Sequence, residues 1–416
     1  MKQMMMKEQL GCIMRYWMRW LFLALGCGIL AALACVVLVE GVTRIGTVLT
    51  GSLRWLFAPL IGATVFWTLL KLTGFTLHGT GTNDYIMAVH EKASPLGVRA
   101  ALAKLLATLG VVGWGGSGGL AGPSLFIGAG LAQSLARWSH PTGKERRYLH
   151  IMGGASMLGA LLLAPLAAAV LASEILYRQT IRLRELPYAL TGSMSGYIAY
   201  RAIAQPTLTV APSIPLGQAG CIFGGLLAAV LASGLGILLV LGLRVMSGCQ
   251  LRAEGLLFAG AIATGLLGVA SQGALLGWGV PALMAETVEG TVKQAPYIWL
   301  AAGKVMATVA TVGSGASGGL IGPALVMGGW SGQAVAAVLG TNAQGLMWAG
   351  MAAGLATISN VPWAAAILMV ELFGVGALPY AVMGSGTGFI LARSWVAYGA
   401  LALVSNGAHT RDGPVR

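Results

Sequence analysis

Two stretches of the chain carry residue types that could bind an anion, and they lie 200 residues apart. The first reads KLLATLGVVGWGGSGGLAGPSL from Lys104 and the second reads KVMATVATVGSGASGGLIGPAL from Lys304. In each, an apolar segment runs into glycines, and a proline then opens a second apolar segment, where its missing N–H is tolerated. A helix that begins there offers free N–H groups and the positive end of its dipole. The chemistry that this pattern favours is anion binding.

A repeat of this length in an apolar chain indicates two homologous halves, each with a broken helix. In the first copy the second helical segment runs from Ser124 to Trp138. Irregular backbone at membrane depth is tolerated where protein covers it or where it lines a polar cavity. Two such breaks at matching places in two halves point to a transport site. The alternative is that the glycines serve only close packing of helices, which small residues often allow in membranes.

The composition places the chain in a bilayer. Of its 416 residues, 57% are hydrophobic and 9% are charged, and the mean hydropathy is +0.81. Several apolar runs approach the ~20 residues that a spanning helix needs, among them Leu21–Val39 and Leu56–Leu72. The sequence therefore predicts an all-α polytopic membrane protein, and its 63 glycines favour many short, tilted and broken helices.

Charge and reactive residues exclude several classes of function. The net charge is +13 at pH 7, but the basic residues lie between apolar segments and are not interleaved with aromatic residues. They indicate loop anchors and not a nucleic-acid surface. The five cysteines have no paired spacing and the five histidines have no metal-ligand spacing. We therefore expect no disulfide framework, no metal site, no cofactor and no enzyme.

Basic residues also orient the chain. The sequence divides into a basic N-terminal segment, two halves of a membrane domain and a polar C-terminal tail, at residues 1–20, 21–190, 191–405 and 406–416. The N-terminal segment and the loop containing Arg178, Arg182 and Arg184 are predicted to be cytoplasmic. We expect an integral, multi-pass protein of a prokaryotic inner membrane, with both termini in the cytoplasm.

Two further elements repeat at nearly the same offset. The turn Gly79-Thr80-Gly81 has its counterpart in Gly277-Trp278-Gly279, and the segment Pro165–Glu174 has its counterpart in Pro362–Glu371. Each glutamate ends an apolar helix, and a carboxylate at membrane depth is costly enough to suggest function. Glu174 is therefore a candidate proton relay. The alternative is a carboxylate bonded to backbone amides or to a nearby arginine such as Arg178.

These residues resemble the CLC family of chloride channels and proton-coupled chloride exchangers, and the resemblance covers nearly the whole chain. In that family the anion path is built from the motifs G-S-G-I-P, G-[KR]-E-G-P and G-x-F-x-P and from a tyrosine near the end of the membrane domain. The matching positions here read GTGTN from Gly79, GLAGP from Gly119 and GLIGP from Gly319, with Tyr398 as the tyrosine. The resemblance implies two inverted-topology repeats, a lipid-embedded homodimer and one pore per subunit.

The resemblance also implies which residues bind the anion. They are Thr80, Gly81, Ala121, Gly122, Leu320, Ile321 and Tyr398. The amides of Leu320 and Ile321 and the hydroxyls of Thr80 and Tyr398 would hold a central anion, because N–H and O–H donors suit a monovalent anion without a full cation that would retain it. For Tyr398, a plain aromatic residue at the membrane interface is the alternative.

Departures from the family motifs decide the predicted mode of transport. The family's gating glutamate falls on Ala121, its basic neighbour on Leu120, and the internal proton-loading glutamate on Ile175. An alanine neither competes with an anion nor carries a proton. The prediction is passive transport of small, chloride-type monovalent anions, uncoupled from protons. The alternatives are an anion/proton exchanger with a non-standard relay and a non-transporting protein that retains the fold. Because no regulatory domain is expected after Ser405, we expect no control by nucleotides.

Overall fold

The computed structural model is helical, with no sheet among the described residues. These are residues 2–48, 51–75, 77–90, 96–177, 181–206, 221–249, 252–281, 283–284, 296–393, 395 and 397–398. Five helices in this part of the chain are long and apolar enough to cross a membrane: Met14–Thr47, Ser52–Thr73, Ile222–Ser247, Ala253–Ala270 and Ile321–Leu339. The predicted all-α polytopic fold is confirmed.

The helices follow the same order in both halves. Those of the first half are α1 (Lys2–Thr47), α2 (Ser52–Thr73), α3 (Thr82–His90), α4 (Val98–Gly113), α5 (Ala121–Ser139), α6 (Gly143–Leu162), α7 (Pro165–Glu174) and α8 (Leu186–Ala204). Those of the second half are α9 (Ile222–Ser247), α10 (Ala253–Ala270), α11 (Tyr297–Gly313), α12 (Ile321–Leu339), α13 (Gln344–Ser359), α14 (Pro362–Phe373) and α15 (Leu378–Leu391), with a 3-10 turn at Val375–Ala377. By sequence offset, α9 and α10 match α1 and α2, and α11 to α15 match α4 to α8.

The two halves meet at their glycine-rich breaks. The N–H of Gly119 donates to the carbonyl of Gly319, and the N–H of Gly319 donates to the carbonyl of Gly119, both at 2.6 Å in an antiparallel pair. Side chains exchange partners in the same way, in the hydroxyl pairs Thr108–Ser317 (2.9 Å) and Ser117–Thr308 (3.2 Å). Because equivalent residues of the two copies swap partners, the halves are related by a local two-fold axis, as inverted-topology repeats require.

Glycines outside the breaks bring helices into close contact. A Cβ atom on Gly328 of α12 would lie 2.2 Å from the carbonyl oxygen of Gly350 in α13, and one on Gly350 would lie 2.1 Å from the oxygen of Gly328. The first half has the same crossing between Gly128 of α5 and Gly153 of α6, at 2.2 and 2.4 Å. These glycines outside the breaks therefore allow close helix packing, as small residues often do in membranes.

We expect Gly350→Ala to destabilise the protein by about 3 kcal/mol, because the new methyl group would overlap backbone that cannot move aside. The measurement is the melting temperature of the purified protein in detergent, followed by tryptophan fluorescence. Gly386→Ala in α15 is the matched control, since a Cβ there meets nothing within 4 Å, and it should melt like the wild type. Equal melting temperatures for the two variants would contradict this packing.

One predicted boundary needs correction. The division between residues 190 and 191 falls inside α8, which begins at Leu186 and continues to Ala204. Because α8 packs on α1, α6 and α7, the first half extends at least to Ala204. The small residues of α8 pack against neighbouring helices, as Gly196 does against the backbone of Ser156. Residues 2–20 of the predicted basic segment form the first part of α1, and the tail 406–416 lies outside the described residues.

Candidate anion-binding site

The site is built on the two helices that begin at the glycine breaks, α5 and α12. Their N-cap residues, Leu120 and Leu320, form no side-chain capping hydrogen bond. The first bonds inside the helices run from Ser124 to Leu120 and from Ala324 to Leu320. The N–H groups of Ala121, Gly122, Ile321 and Gly322 therefore have no partner within their helices. These amides and the two dipoles create positive potential without a cation.

The two helix starts are adjacent, because each packs on the glycines that precede the other. A Cβ on Gly119 would lie 2.7 Å from the amide nitrogen of Gly322, and a Cβ on Gly319 would lie 2.8 Å from the amide nitrogen of Gly122. No side chain larger than a hydrogen fits between them. The structure thus brings Leu120-Ala121-Gly122 and Leu320-Ile321-Gly322 together, as the sequence predicted.

The turn before α3 lies against the start of α5. Gly79 and Gly81 have φ angles of 69° and 73°, which favour glycine. A Cβ on Gly122 would lie 2.8 Å from the carbonyl oxygen of Thr80 and 2.9 Å from Oγ1 of Thr82. Oγ1 of Thr80 accepts a hydrogen bond from the backbone N–H of Thr82 at 3.3 Å. Thr80, Gly81 and Thr82 therefore lie beside the start of α5.

Three buried hydroxyl groups form a cluster beside this turn: Thr82, Ser359 and Tyr398. The Tyr398 side chain is fully buried, and its hydroxyl interacts with those of Ser359 and Thr82. None of the three oxygens has a hydrogen-bond partner of good geometry among the described residues. Buried hydroxyl groups are normally satisfied, so these donors are available to a ligand. Full burial also rules out the alternative of a membrane-interface aromatic for Tyr398.

Sequence reasoning identified Thr80 and Tyr398 but missed Thr82 and Ser359. Thr82 stands in the same GTGTN motif, and only its side-chain direction distinguishes it from Thr80. Ser359 ends α13, and Asn360 follows in a left-handed conformation with φ of 56°. The amide nitrogen Nδ2 of Asn360 is also buried without a partner. The one available signal was a run of polar residues, Ser359-Asn360, immediately before an apolar helix.

A cavity of about 500 Å³ opens directly on the two helix starts. Leu120, Ala121, Ile321 and Gly322 line its end, and most of the other walls are apolar. No carboxylate occurs among its described lining residues. Where the resemblance places a gating glutamate, the structure therefore has the methyl group of Ala121 on the cavity wall.

The repeated lysines hold the glycine turns. Nζ of Lys104 donates to the carbonyl oxygens of Leu77 and Gly79, at 2.7 and 2.8 Å. Nζ of Lys304 donates to those of Leu275 and Gly277, at 3.1 and 2.8 Å. Both side chains are buried, and Asp84 supplies a nearby countercharge for Lys104. These ammonium groups position backbone, and amides and hydroxyls remain the donors that face the site.

Glu174 and Glu371 bind backbone amides across the interface between the halves. The carboxylate of Glu174, at the end of α7, accepts from the N–H groups of Trp363 and Ala364 at the start of α14, at 3.2 and 2.8 Å. Glu371, at the end of α14, accepts from Leu166 and Ala167 at the start of α7, at 3.0 and 2.8 Å. The amide-bonded alternative therefore describes the contacts of Glu174, and its role as a proton relay stays a prediction. No group of three or more potential metal ligands occurs in the described part of the chain.

Comparisons with known proteins agree with this geometry. A family model described as voltage gated chloride channel matches residues 61–393. An uncharacterized protein of Methanocaldococcus jannaschii is 26% identical over 326 residues, which cover 77% of this chain and 81% of that one. A chloride/fluoride channel protein of Pseudomonas syringae pv. tomato is 26% identical over 318 residues, which cover 73% of this chain and 69% of that one.

Solved structures show the same fold. The crystal structure of a CLC-type fluoride/proton antiporter superimposes with a TM-score of 0.80 at 21% identity, covering 92% of this chain and 98% of that one. That of a slow cyanobacterial Cl⁻/H⁺ antiporter gives a TM-score of 0.77 at 18% identity, covering 95% and 99%.

Proposed function

We propose, on the premise that the chain belongs to the voltage gated chloride channel family, that it conducts small monovalent anions passively and without proton coupling. The path runs between the starts of α5 and α12 and past the buried hydroxyl groups. We further propose that the protein acts as a homodimer in a prokaryotic inner membrane with both termini in the cytoplasm, and that it needs no cofactor beyond the transported anion.

The observation that carries this proposal is the set of donors without partners. Thr82, Ser359 and Tyr398 place three hydroxyl groups, none of them with a good hydrogen bond to a described residue, next to two uncapped helix starts. Hydrogen-bond donors of this kind replace the hydration shell of a monovalent anion. With Thr80, Gly81, Leu320 and Ile321 they form a site that attracts an anion and releases it again, because no lysine or arginine occurs among the described residues that line the cavity.

The uncoupled mode follows from the groups that face the path. Ala121 offers no carboxylate to compete with the anion or to carry a proton. Glu174 is committed to two amides of α14. The second candidate is an anion/proton exchanger that uses Glu174 as its relay, since the two solved structures compared above are named as proton antiporters. Flux with simultaneous measurement of proton movement distinguishes the two functions.

The first test is anion efflux from liposomes that contain the purified protein, with the internal pH recorded. Chloride and fluoride efflux under a valinomycin clamp, without stoichiometric proton movement, is the expected result. Proton movement at a fixed ratio would replace the proposal with the exchanger. No efflux of chloride, fluoride, bromide or nitrate would identify a non-transporting protein that retains the fold.

The same assay tests the hydroxyl donors. We expect Thr82→Val combined with Ser359→Ala to raise the half-saturating chloride concentration at least about tenfold, because two charge-assisted hydrogen bonds are lost. Ser233→Ala is the control, since its hydroxyl is buried but donates within α9 to the carbonyl of Ala229 at 2.7 Å. An unchanged half-saturating concentration in the double variant would remove these two residues from the site.

A further inference from the structure

A second cavity lies at the far end of α5 from the anion path. It has a volume of about 670 Å³ and is lined by Arg99 near the start of α4, Arg137 near the end of α5 and Arg146 near the start of α6. Helix α5 has 19 residues, so the two ends are separated by roughly 28 Å at 1.5 Å per residue. The cavity is therefore separate from the proposed path.

Among the described residues, the walls of this cavity carry positive charge without a carboxylate to neutralise it. No carboxylate occurs among its described lining residues, and the described part of the chain contains no ion pair to any of the three arginines. Glu145, the neighbour of Arg146, bonds instead to Arg19 at 3.2 Å and to the backbone N–H of Thr142 at 2.9 Å. Nε of Arg146 is buried without a hydrogen-bond partner in the described part of the chain. Three arginines thus line one cavity.

Further donors point to the same ligand chemistry. The start of α4 has Gly97 as N-cap and no side-chain cap, and Gly97 and Val98 line the cavity. Uncapped amides at a helix start bind phosphate readily, and the guanidinium fork matches phosphate oxygens in pairs. Gln133 lines the wall and has its carbonyl oxygen 3.1 Å from Nε2 of His150. This contact engages only the carbonyl oxygen of the amide and leaves its NH₂ group as an additional donor.

We propose that this cavity binds a phosphate group, either the headgroup of an anionic lipid or a soluble phosphate. A position at the membrane interface is favoured by Trp138 beside Arg137, which is 86% exposed, and by Phe75 in the cavity lining, since aromatic residues are enriched at that level. Arg19 of α1 bonds to the carbonyl of Ser139 at the end of α5, so basic residues of α1 reach the same end of the bundle. Positive charge at this level attracts anionic headgroups.

The test compares ligand retention by the full-length protein and a triple variant, Arg99→Gln/Arg137→Gln/Arg146→Gln. Phosphatidylglycerol or phosphatidylcholine is added in detergent and bound lipid is counted by native mass spectrometry, while inorganic phosphate binding is measured by calorimetry. We expect the wild type to retain phosphatidylglycerol over phosphatidylcholine and the triple variant to bind at least about tenfold more weakly. The control variant, Arg54→Gln/Arg184→Gln/Arg252→Gln, has the same net charge and should bind like the wild type.

Each outcome either identifies the source of the bound phosphate group or contradicts the proposed site. Loss of phosphatidylglycerol only in the cavity variant assigns a lipid headgroup. Loss of inorganic phosphate binding without any lipid effect assigns a soluble phosphate. Equal binding by wild type, cavity variant and control, or equal loss in both variants, overturns the proposal. If the triple variant does not fold, phosphate binding by Arg146→Gln is compared with that by Arg146→Lys. Equal weakening of binding in these two variants would show that the guanidinium fork is used. Full binding by both variants would overturn the site.

Discussion

Ala121→Glu should slow chloride flux at least about tenfold at pH 7. The new side chain would extend from the start of α5 into the cavity that Ala121 now lines. There its carboxylate could accept hydrogen bonds from the uncapped amides of α5 and α12 and occupy the place of an anion. A charge at a helix start is stabilised by up to about 2 kcal/mol, and 1.4 kcal/mol already corresponds to a tenfold change in occupancy.

The pH dependence separates charge from bulk. The carboxylate competes with chloride only when it is ionised, so flux through Ala121→Glu should rise as the pH falls through the pKa of the new carboxyl group. Ala121→Gln has nearly the same volume and no charge, and its flux should not depend on pH in this way. Equal slowing by glutamine and glutamate would indicate steric block alone. Unchanged flux in the glutamate variant would place Ala121 outside the anion path.

The helix breaks and the helices that follow them could be predicted from sequence. The segment Ser124–Trp138 lies within α5, and Leu21–Val39 and Leu56–Leu72 lie within α1 and α2. These predictions succeed because they depend on local physics: proline in a first turn, glycine before it, and apolar runs of spanning length. The repeat at a constant offset added long-range information that one copy could not supply, and it placed the two helix starts together.

The side chains around the anion site required the fold. Thr80 and Thr82 are two residues apart, and the sequence does not show that the hydroxyl of Thr80 accepts a bond from the N–H of Thr82 while that of Thr82 meets Tyr398. Ser359 comes from a distant helix, and its position depends on how α13 packs. The same limit applies to Glu174, because its local sequence is compatible with both a functional and a structural role. Only the position of α14 shows which groups the carboxylate touches.

The contacts of Glu174 and Glu371 lead to the second large expected effect. Helices α7 and α14 lie side by side in opposite directions, so the glutamate at or near the end of each helix reaches the first turn of the other. Pro165 and Pro362 occupy the first helical positions and have no N–H to satisfy. The next two amides in each helix bind the two oxygens of the partner's glutamate. Two charge-assisted pairs thus join the halves of the membrane domain.

We expect Glu174→Gln to destabilise the protein by about 2–3 kcal/mol, because the glutamine NH₂ would face a backbone N–H and leave it unsatisfied. Glu371→Gln should lower the free energy of unfolding by less, because Glu371 is only partly buried and Glu174 is almost fully buried, with 3% of its surface exposed. Thermal melting in detergent measures both, with Glu254→Gln as the control at a surface pair with Lys71. If Glu174→Gln melted like this control, the contact would not stabilise the fold. A changed proton-to-anion ratio in Glu174→Gln liposomes would instead support a relay, because a purely structural carboxylate alters stability and leaves the ratio at zero.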